Sequence, residues 1–184
     1  SRDPHEIFTQ KNINIYTANM LNYSESMSVA RQVIENHQII DAWINCIGGF
    51  SMGSSIDEDD ENWNSMYNIN FLTCLHGCKV ALHHMKHQGY GKIINIGSKA
   101  ALNGFPNAAP YLISKSSVHT LTKLIALEIA DLDITCNAIL PGIIDTKQNR
   151  EAMPNEDFKK WETPKQIAST IDETLHSTDT GQLI

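Results

Sequence analysis

Apolar residues recur along this chain of 184 residues with two different periods. Short apolar runs of strand length alternate with longer stretches in which apolar residues return every three or four positions, as on one face of a helix. The pattern predicts strands over residues 13–16, 39–45, 92–96 and 134–140, and helices over residues 24–37, 63–85, 111–130 and from 164 onward. Strands that alternate with helices favour an α/β fold, a doubly wound parallel sheet of the Rossmann-like kind. We predict a single such domain over residues 1–184.

Three other segments have a weaker pattern. Residues 143–161 predict a flap or short helix that follows the break at Pro141–Gly142 and covers one edge of the sheet. Residues 181–184 predict the beginning of a further strand. Residues 57–61 form an acidic run, which we interpret as a solvated loop leading into a helix N-terminus, where carboxylates are favourable.

Composition and charge narrow the class of protein. A content of 41% hydrophobic and 19% charged residues is ordinary for a soluble globular protein. The net charge of -7 argues against a nucleic-acid partner, and no apolar run approaches the ~20 residues that a membrane span needs. The four cysteines show no disulfide pattern, so we expect reduced thiols and a cytoplasmic protein. Cys74 and Cys78 lie one helical turn apart, but no second ligand pair follows at zinc-site spacing, so we expect no metal.

Tyr111 and Lys115 stand four residues apart at the head of a helical pattern. Positions i and i+4 share one face of a helix, so the phenol and the ammonium group point the same way. A nearby cation favours phenolate, and we therefore expect Lys115 to lower the pKa of Tyr111 and prepare it for proton transfer. Ser98 ends the apolar run 93–96 and precedes a loop that leads back to Tyr111. These side chains would meet at the carboxyl edge of the sheet, where open parallel sheets bind ligands.

These motifs resemble the short-chain dehydrogenase/reductase family over nearly the whole chain. Ser98, Tyr111 and Lys115 match the family's Ser and Tyr-x-x-x-Lys signature in order and spacing. Asn70 matches the helix Asn that completes the family's catalytic tetrad. Residues 45–48 stand where the family has Asn-Asn-Ala-Gly.

The resemblance implies a nicotinamide cofactor, either NADP or NAD. Pro141–Gly142 with Thr146 stands where the family has Pro-Gly and a nicotinamide-contacting Thr. The residues expected to contact the cofactor are Arg2, Asn19, Asn45, Ile47, Gly48, Tyr111, Lys115, Pro141, Gly142, Ile144 and Thr146.

The same resemblance implies an oxidoreductase that interconverts a small carbonyl compound and its alcohol by hydride transfer. Ser98 would hydrogen-bond the substrate oxygen, and Tyr111 would donate or accept the proton. Lys115 would lower the Tyr111 pKa and hold the nicotinamide ribose, and Asn70 would support a water path from Lys115 to solvent. The family also implies a homo-oligomer, a tetramer or a dimer, with the predicted helices 63–85 and 111–130 at an interface.

The family's glycine-rich dinucleotide motif is absent from these residues. In that motif, glycines let the backbone approach the pyrophosphate at a helix N-terminus. We therefore expect the chain to be an incomplete record of a longer protein, without the first βαβ portion and the last strand. Arg2 would follow the second strand, where a cation favours the 2′-phosphate of NADP and a carboxylate favours NAD. Both cofactors stay open.

Two alternatives stand beside carbonyl chemistry. Residues 97–104 and the flap resemble quinonoid dihydropteridine reductase, so reduction of a quinonoid pterin is one alternative. That reductase lacks a hydroxyl at the position of Ser98, because reducing a quinonoid pterin creates no alkoxide for a hydroxyl to stabilise. The second alternative is a catalytically silent nucleotide-binding or assembly module. The complete set of Asn70, Ser98, Tyr111 and Lys115 weighs against it.

Overall fold

The computed structural model describes residues 13–184. In chain order, its elements are α1 (Tyr23–His37), β1 (Ala42–Asn45), α2 (Asp60–Met66), a π-helical segment (Tyr67–Leu72), α3 (Thr73–Gln88), β2 (Tyr90–Ile96), α4 (Ala100–Asn103), α5 (Ala109–Glu128), β3 (Asp133–Ile139), α6 (Lys147–Ala152), a 3₁₀ turn (Phe158–Lys160) and α7 (Pro164–His176).

The three strands found in residues 13–184 form one parallel sheet in the order β1-β2-β3. Ala42 pairs with Lys92 at one end of the β1–β2 ladder, and Tyr90 pairs with Asp133 at one end of the β2–β3 ladder. The predicted strands 39–45, 92–96 and 134–140 are thus confirmed within a few residues. Because all three strands run the same way, their carboxyl ends lie along one edge of the sheet.

Helices cover both faces of this sheet. Asn95 of β2 donates from Nδ2 to Thr122 Oγ1 of α5, at 2.9 Å, on one face. Lys92, an odd number of residues away along the strand, points to the other face and donates from Nζ to the Ser177 carbonyl just after α7, at 2.9 Å. The arrangement confirms the predicted α/β, Rossmann-like fold.

The core lies between the sheet and the helices α1, α3 and α5. Val80 of α3 and Ile93 of β2 are fully buried there. Cys74 and Cys78 donate from their thiols to Asn95 Oδ1, each at 3.3 Å. All four cysteines of the chain are free. The two thiols therefore serve as hydrogen-bond donors in the core.

Two predictions about elements are wrong. Residues 13–16 form no strand, because no described strand lies beside them to pair with their backbone groups. The predicted single helix 63–85 begins earlier, at Asp60, because Asp59 caps it by accepting from the Asn62 amide at 2.9 Å. It is also interrupted by the π-helical segment, whose wider turns the apolar spacing does not reveal.

The last residues of the chain return to the sheet. Leu183 forms a parallel bridge with Ala138 of β3, and Leu140 donates from its amide to the Ile184 carbonyl at 2.6 Å. The predicted beginning of a strand at 181–184 is confirmed in this form. Within residues 13–184, no helix combines the length and apolar character needed to cross a bilayer.

Candidate active site

The carboxyl ends of β1 and β2 and the first turns of α5 converge at one edge of the sheet. Lys115 of α5 is only 6% exposed, and its Nζ donates to the Ile96 carbonyl at the end of β2, at 2.9 Å. Burial lowers the pKa of Lys115, while the Cys74 and Cys46 thiols act in the opposite direction. The ammonium group is therefore held at the strand end by a backbone acceptor.

Tyr111 lies one helical turn before Lys115, next to Ser98. Its ring packs edge-on against the Phe50 ring, with 4.9 Å between the centroids. Burial raises the pKa of the Tyr111 phenol, and the hydroxyl of Ser98 lowers it to a lesser extent. The expectation that Lys115 lowers this pKa is therefore wrong for the protein alone. The physical reason is that the phenol is partly desolvated, while the Lys115 ammonium group is directed to the Ile96 carbonyl.

Asn70 occupies the π-helical segment and is almost fully buried. Its Oδ1 accepts from the Gly49 amide, and its Nδ2 donates to the Gly49 carbonyl and to Ser114 Oγ, all at 3.0 Å. Such π-helical turns are frequent at functional sites, because they turn a side chain away from the regular helical register. Asn70 thereby joins three elements, namely the π-helical segment, the loop after β1 and α5.

Gly48 leaves the space between Asn70 and Lys115 open. A methyl group at Gly48 would lie 2.8 Å from Asn70 Oδ1 and 3.2 Å from Lys115 Nζ, closer than carbon atoms normally approach. The loop after β1 therefore passes these two side chains as bare backbone. Ile47 and Gly48 are exposed, so a ligand at this edge would meet the Gly48 backbone close to Lys115 Nζ.

The residues after β3 form the base of the flap. The Pro141 carbonyl accepts from the Lys99 amide at 3.0 Å, which joins this loop to the loop that carries Ser98. Ile144 and Glu162 form a parallel bridge that closes the flap at its base. Thr146 caps α6 by accepting from the Asn149 amide at 3.2 Å. The predicted flap over 143–161 thus contains α6 and the 3₁₀ turn.

Comparison with known proteins agrees with this geometry. Residues 4–157 match the family described as short chain dehydrogenase. The chain belongs to the short chain dehydrogenase family. The resemblance to the family, on the ordered motifs, is thereby confirmed, whereas a particular closeness to quinonoid dihydropteridine reductase is not shown.

Relatives within the family act on different compounds, to judge by their names. The chain is 30% identical over 151 residues to a 2-keto-3-deoxy-L-fuconate dehydrogenase of Xanthomonas campestris, which covers 80% of this chain and 50% of that protein. It is 34% identical over 116 residues to a 3beta-hydroxysteroid dehydrogenase of Mediterraneibacter gnavus, which covers 62% of this chain and 42% of that protein. The chain thus spans about half the length of these curated relatives.

Solved structures of other proteins have the same fold. The structure of ElxO with NADP bound is 28% identical to the chain, with a TM-score of 0.89, and the match covers 94% of this chain and 76% of that one. A second structure of ElxO, a variant with NADPH bound, is 27% identical, with a TM-score of 0.91 over 98% of this chain and 79% of that one.

Two of the predicted cofactor contacts are not brought to this edge of the sheet. The Asn45 side chain points into the core, where Oδ1 accepts from Trp43 Nε1 at 2.8 Å and Nδ2 donates to Asn95 Oδ1 at 2.8 Å. Asn19 serves a local turn, because its Oδ1 accepts from the Leu21 amide at 3.0 Å. Arg2 lies outside the described residues.

The site also contains a residue that the sequence reasoning missed. His119, only 6% exposed, accepts at Nε2 from the Ser98 amide at 3.2 Å. The available signal was its position, since His119 lies four residues after Lys115 and eight after Tyr111, on the same face of α5. No short chain dehydrogenase motif described above includes this position.

An open cavity of about 700 Å³ lies within the flap itself. Its lining residues come from α6 and the segments beside it, and among them are Thr146, Arg150 and Phe158. Arg150 pairs with Asp145, and its guanidinium group lies 4.9 Å above the centre of the Phe158 ring. Neither Ser98 nor Tyr111 lines this cavity, so we assign it to the flap rather than to the catalytic edge.

Proposed function

We propose that the protein is an NAD(P)-dependent oxidoreductase that interconverts a small carbonyl compound and its alcohol. The observation that carries the proposal is the meeting of Ser98, Tyr111, Lys115 and Asn70 at one edge of the sheet. The ElxO structures, with NADP or NADPH bound, support a nicotinamide cofactor for this chain. Because the described residues do not include the adenosine end of such a site, we propose NADP or NAD without choosing between them.

The residues at the edge fit the nicotinamide end of this cofactor. Gly48 presents bare backbone beside Asn70 and Lys115, where an added methyl group would collide with Asn70 Oδ1 and crowd Lys115 Nζ. Lys115 supplies a buried cation for the ribose hydroxyls, and Thr146 lies at the base of the flap, where a carboxamide would be held. When bound, the nicotinamide supplies or accepts the hydride.

Each side chain then has one task in carbonyl reduction. Ser98 donates a hydrogen bond to the carbonyl oxygen and stabilises the negative charge that develops there as the carbon receives the hydride. Tyr111 transfers its phenolic proton to that oxygen, which completes the alcohol. Lys115 and Asn70 hold the backbone of the site and support the return of a proton from solvent to Tyr111. Burial raises the pKa of the Tyr111 phenol, which keeps the phenol protonated but makes it a weaker acid than a solvated tyrosine, while the Ser98 hydroxyl lowers that pKa in part.

Turnover of nicotinamide with a panel of substrates tests the proposal. The protein would be assayed by NADPH and NADH fluorescence with small ketones, with hydroxy-acid precursors and with a quinonoid pterin. We expect oxidation of the cofactor with at least one ketone. Binding of the cofactor without turnover of any compound would favour the silent-module alternative and contradict the proposal.

Ser98→Ala separates the two reductase chemistries. If a ketone is the substrate, kcat should fall by about 10²–10³, the usual cost of losing one donor to a developing oxyanion. If a quinonoid pterin is the substrate, the loss should be small, because no alkoxide forms. The flap resemblance motivates the pterin alternative, and a nearly unchanged rate with the best ketone would favour it.

We further propose that the protein acts in the cytoplasm as a homo-oligomer, as a tetramer or a dimer. The outer face of α5 presents apolar side chains to solvent, with Leu127 75% exposed and Leu124 and Ile113 each about half exposed. A second copy that packs on this face would remove these side chains from water.

A further inference from the structure

His119 is a buried titratable group that the proposed mechanism does not use. Its Nε2 accepts from the Ser98 amide at 3.2 Å, so the imidazole is neutral with its proton on Nδ1. Burial lowers the pKa of His119, and Lys115 and Lys123 on the same helix lower it further. A protonated imidazole would place an N–H group against the Ser98 amide, and the environment opposes that state.

The His119 ring lies against the backbone of Gly97, directly after β2, where no side chain blocks its approach. A methyl group at Gly97 would lie 2.5 Å from His119 Nε2 and would also collide with Leu140. Because Gly97 has no side chain, the His119 ring can come close enough to the backbone to accept a hydrogen bond from the amide of the next residue, Ser98. Neither Gly97 nor Leu140 is titratable, so the two lysines of α5 are the charged groups shown to act on the ring.

The hydrogen bond of the Ser98 amide has a different kind of partner from those of the amides on either side of it. Gly97 donates from its amide to the Ile139 carbonyl at 2.8 Å, and Lys99 donates to the Pro141 carbonyl at 3.0 Å, so both are tied to the β3 side. Ser98, between them, is tied to α5. Because Tyr111 is on α5 as well, this bond connects the backbone of Ser98 directly to the helix that carries the proton donor.

We propose that His119 is a positioning residue that holds Ser98 in register with Tyr111. The proposal rests on the proposed carbonyl chemistry. Ser98 Oγ and the Tyr111 hydroxyl must both reach one substrate oxygen, and small displacements of either donor weaken its contribution in the transition state. His119 limits such displacements through the amide of Ser98 and does not itself touch the substrate.

A double-mutant cycle between His119 and Ser98 tests this role. The kcat of the wild type, His119→Leu, Ser98→Ala and the double variant would be compared on the best ketone. We expect His119→Leu to lower kcat by roughly 10- to 100-fold in the wild-type background, less than the loss of a whole oxyanion donor. In the Ser98→Ala background it should cost less than about threefold, because the hydroxyl that it positions is gone.

Two further variants control for a merely structural effect. His119→Gln, whose side-chain oxygen can accept from the Ser98 amide, should restore kcat to within about threefold of the wild type. His87→Leu, at an exposed position of α3, should leave kcat unchanged. Should His119→Leu fail to fold, His119→Asn takes its place in the cycle, because its amide is too short to reach Ser98.

Hydrogen exchange at the Ser98 amide, measured beside kcat, distinguishes failure of the positioning role of His119 from failure of the proposed carbonyl chemistry. We expect this amide to exchange faster in His119→Leu than in the wild type. Ketone turnover with equal fold-losses from His119→Leu in both backgrounds would overturn the positioning role alone. Absence of ketone turnover in the wild type, with the Ser98 amide still protected by His119, would overturn the proposed function and the catalytic role with it.

Discussion

Replacement of Asn70 by alanine should lower the free energy of unfolding of the protein, because the Asn70 side chain joins several elements by hydrogen bonds. The side chain makes three buried or half-buried hydrogen bonds of 3.0 Å, two with the backbone of Gly49 and one with Ser114 Oγ. Hydrogen bonds of this kind contribute about 0.5–1.5 kcal/mol each to stability, so their loss should cost about 3 kcal/mol. The helix propensity of alanine offsets roughly half a kcal/mol of this loss.

Asn64→Ala is the matched control. Asn64 is exposed on α2, three residues before the π-helical segment, and it gains the same helix propensity on substitution. The free energy of unfolding would be measured by urea denaturation for the wild type and both variants. After the offset from helix propensity, the net loss of about 2.5 kcal/mol corresponds, for a protein of this size, to a melting temperature lowered by roughly 5–10 °C.

The comparison between the two variants decides the outcome. If Asn70→Ala lowers the free energy of unfolding by no more than Asn64→Ala does, then Asn70 does not connect the π-helical segment with α5 as described. A large loss for Asn70→Ala together with an unchanged Asn64→Ala would confirm that the site is also a structural junction.

Two other predictions concern the phenol and the outer face of α5. Without cofactor, the tyrosinate absorbance that is lost in Tyr111→Phe should titrate above pH 10, because burial raises the Tyr111 pKa above the ordinary tyrosine value of 10.0. In that alkaline window the native state binds the proton that the unfolded state has released, so the wild type should lose stability relative to Tyr111→Phe as pH rises. A titration below pH 10 would contradict this. Leu127→Glu should shift sedimentation towards smaller species, whereas Ile56→Glu, in the loop before α2, should not. A monomeric wild type at micromolar concentration would contradict the homo-oligomer.

The three strands of the sheet could be predicted because each reads as a short apolar run with little ambiguity. Residues 92–96 are an example, since Ile93 and Ile94 both come out fully buried in the middle of the sheet. Residues 13–16 alternate between apolar and polar side chains, which also predicts a strand, but they form none. A strand exists only when a neighbour pairs with its backbone, and the pattern of one segment carries no information about its neighbour.

The spacing of Tyr111 and Lys115 predicted their shared helix face, but not the electrostatics of the pair. Burial of the phenol in the folded chain raises the pKa of Tyr111, and the Lys115 ammonium group is directed to the Ile96 carbonyl rather than to the phenol. The contact between His119 and Ser98 has the same origin. It requires the bare backbone of Gly97 to meet α5, and only the folded chain brings them together.

The kcat of Tyr111→Phe on the best ketone tests the central claim most directly. The change removes one hydroxyl and leaves the ring against Phe50, so the fold should persist. Tyr23→Phe, on α1, removes the same group outside the site and serves as the control. The account predicts a fall in kcat of about 10²–10⁴ for Tyr111→Phe and an unchanged kcat for Tyr23→Phe. Retention of more than about a tenth of the wild-type kcat by Tyr111→Phe would contradict the assignment of Tyr111 as the proton donor.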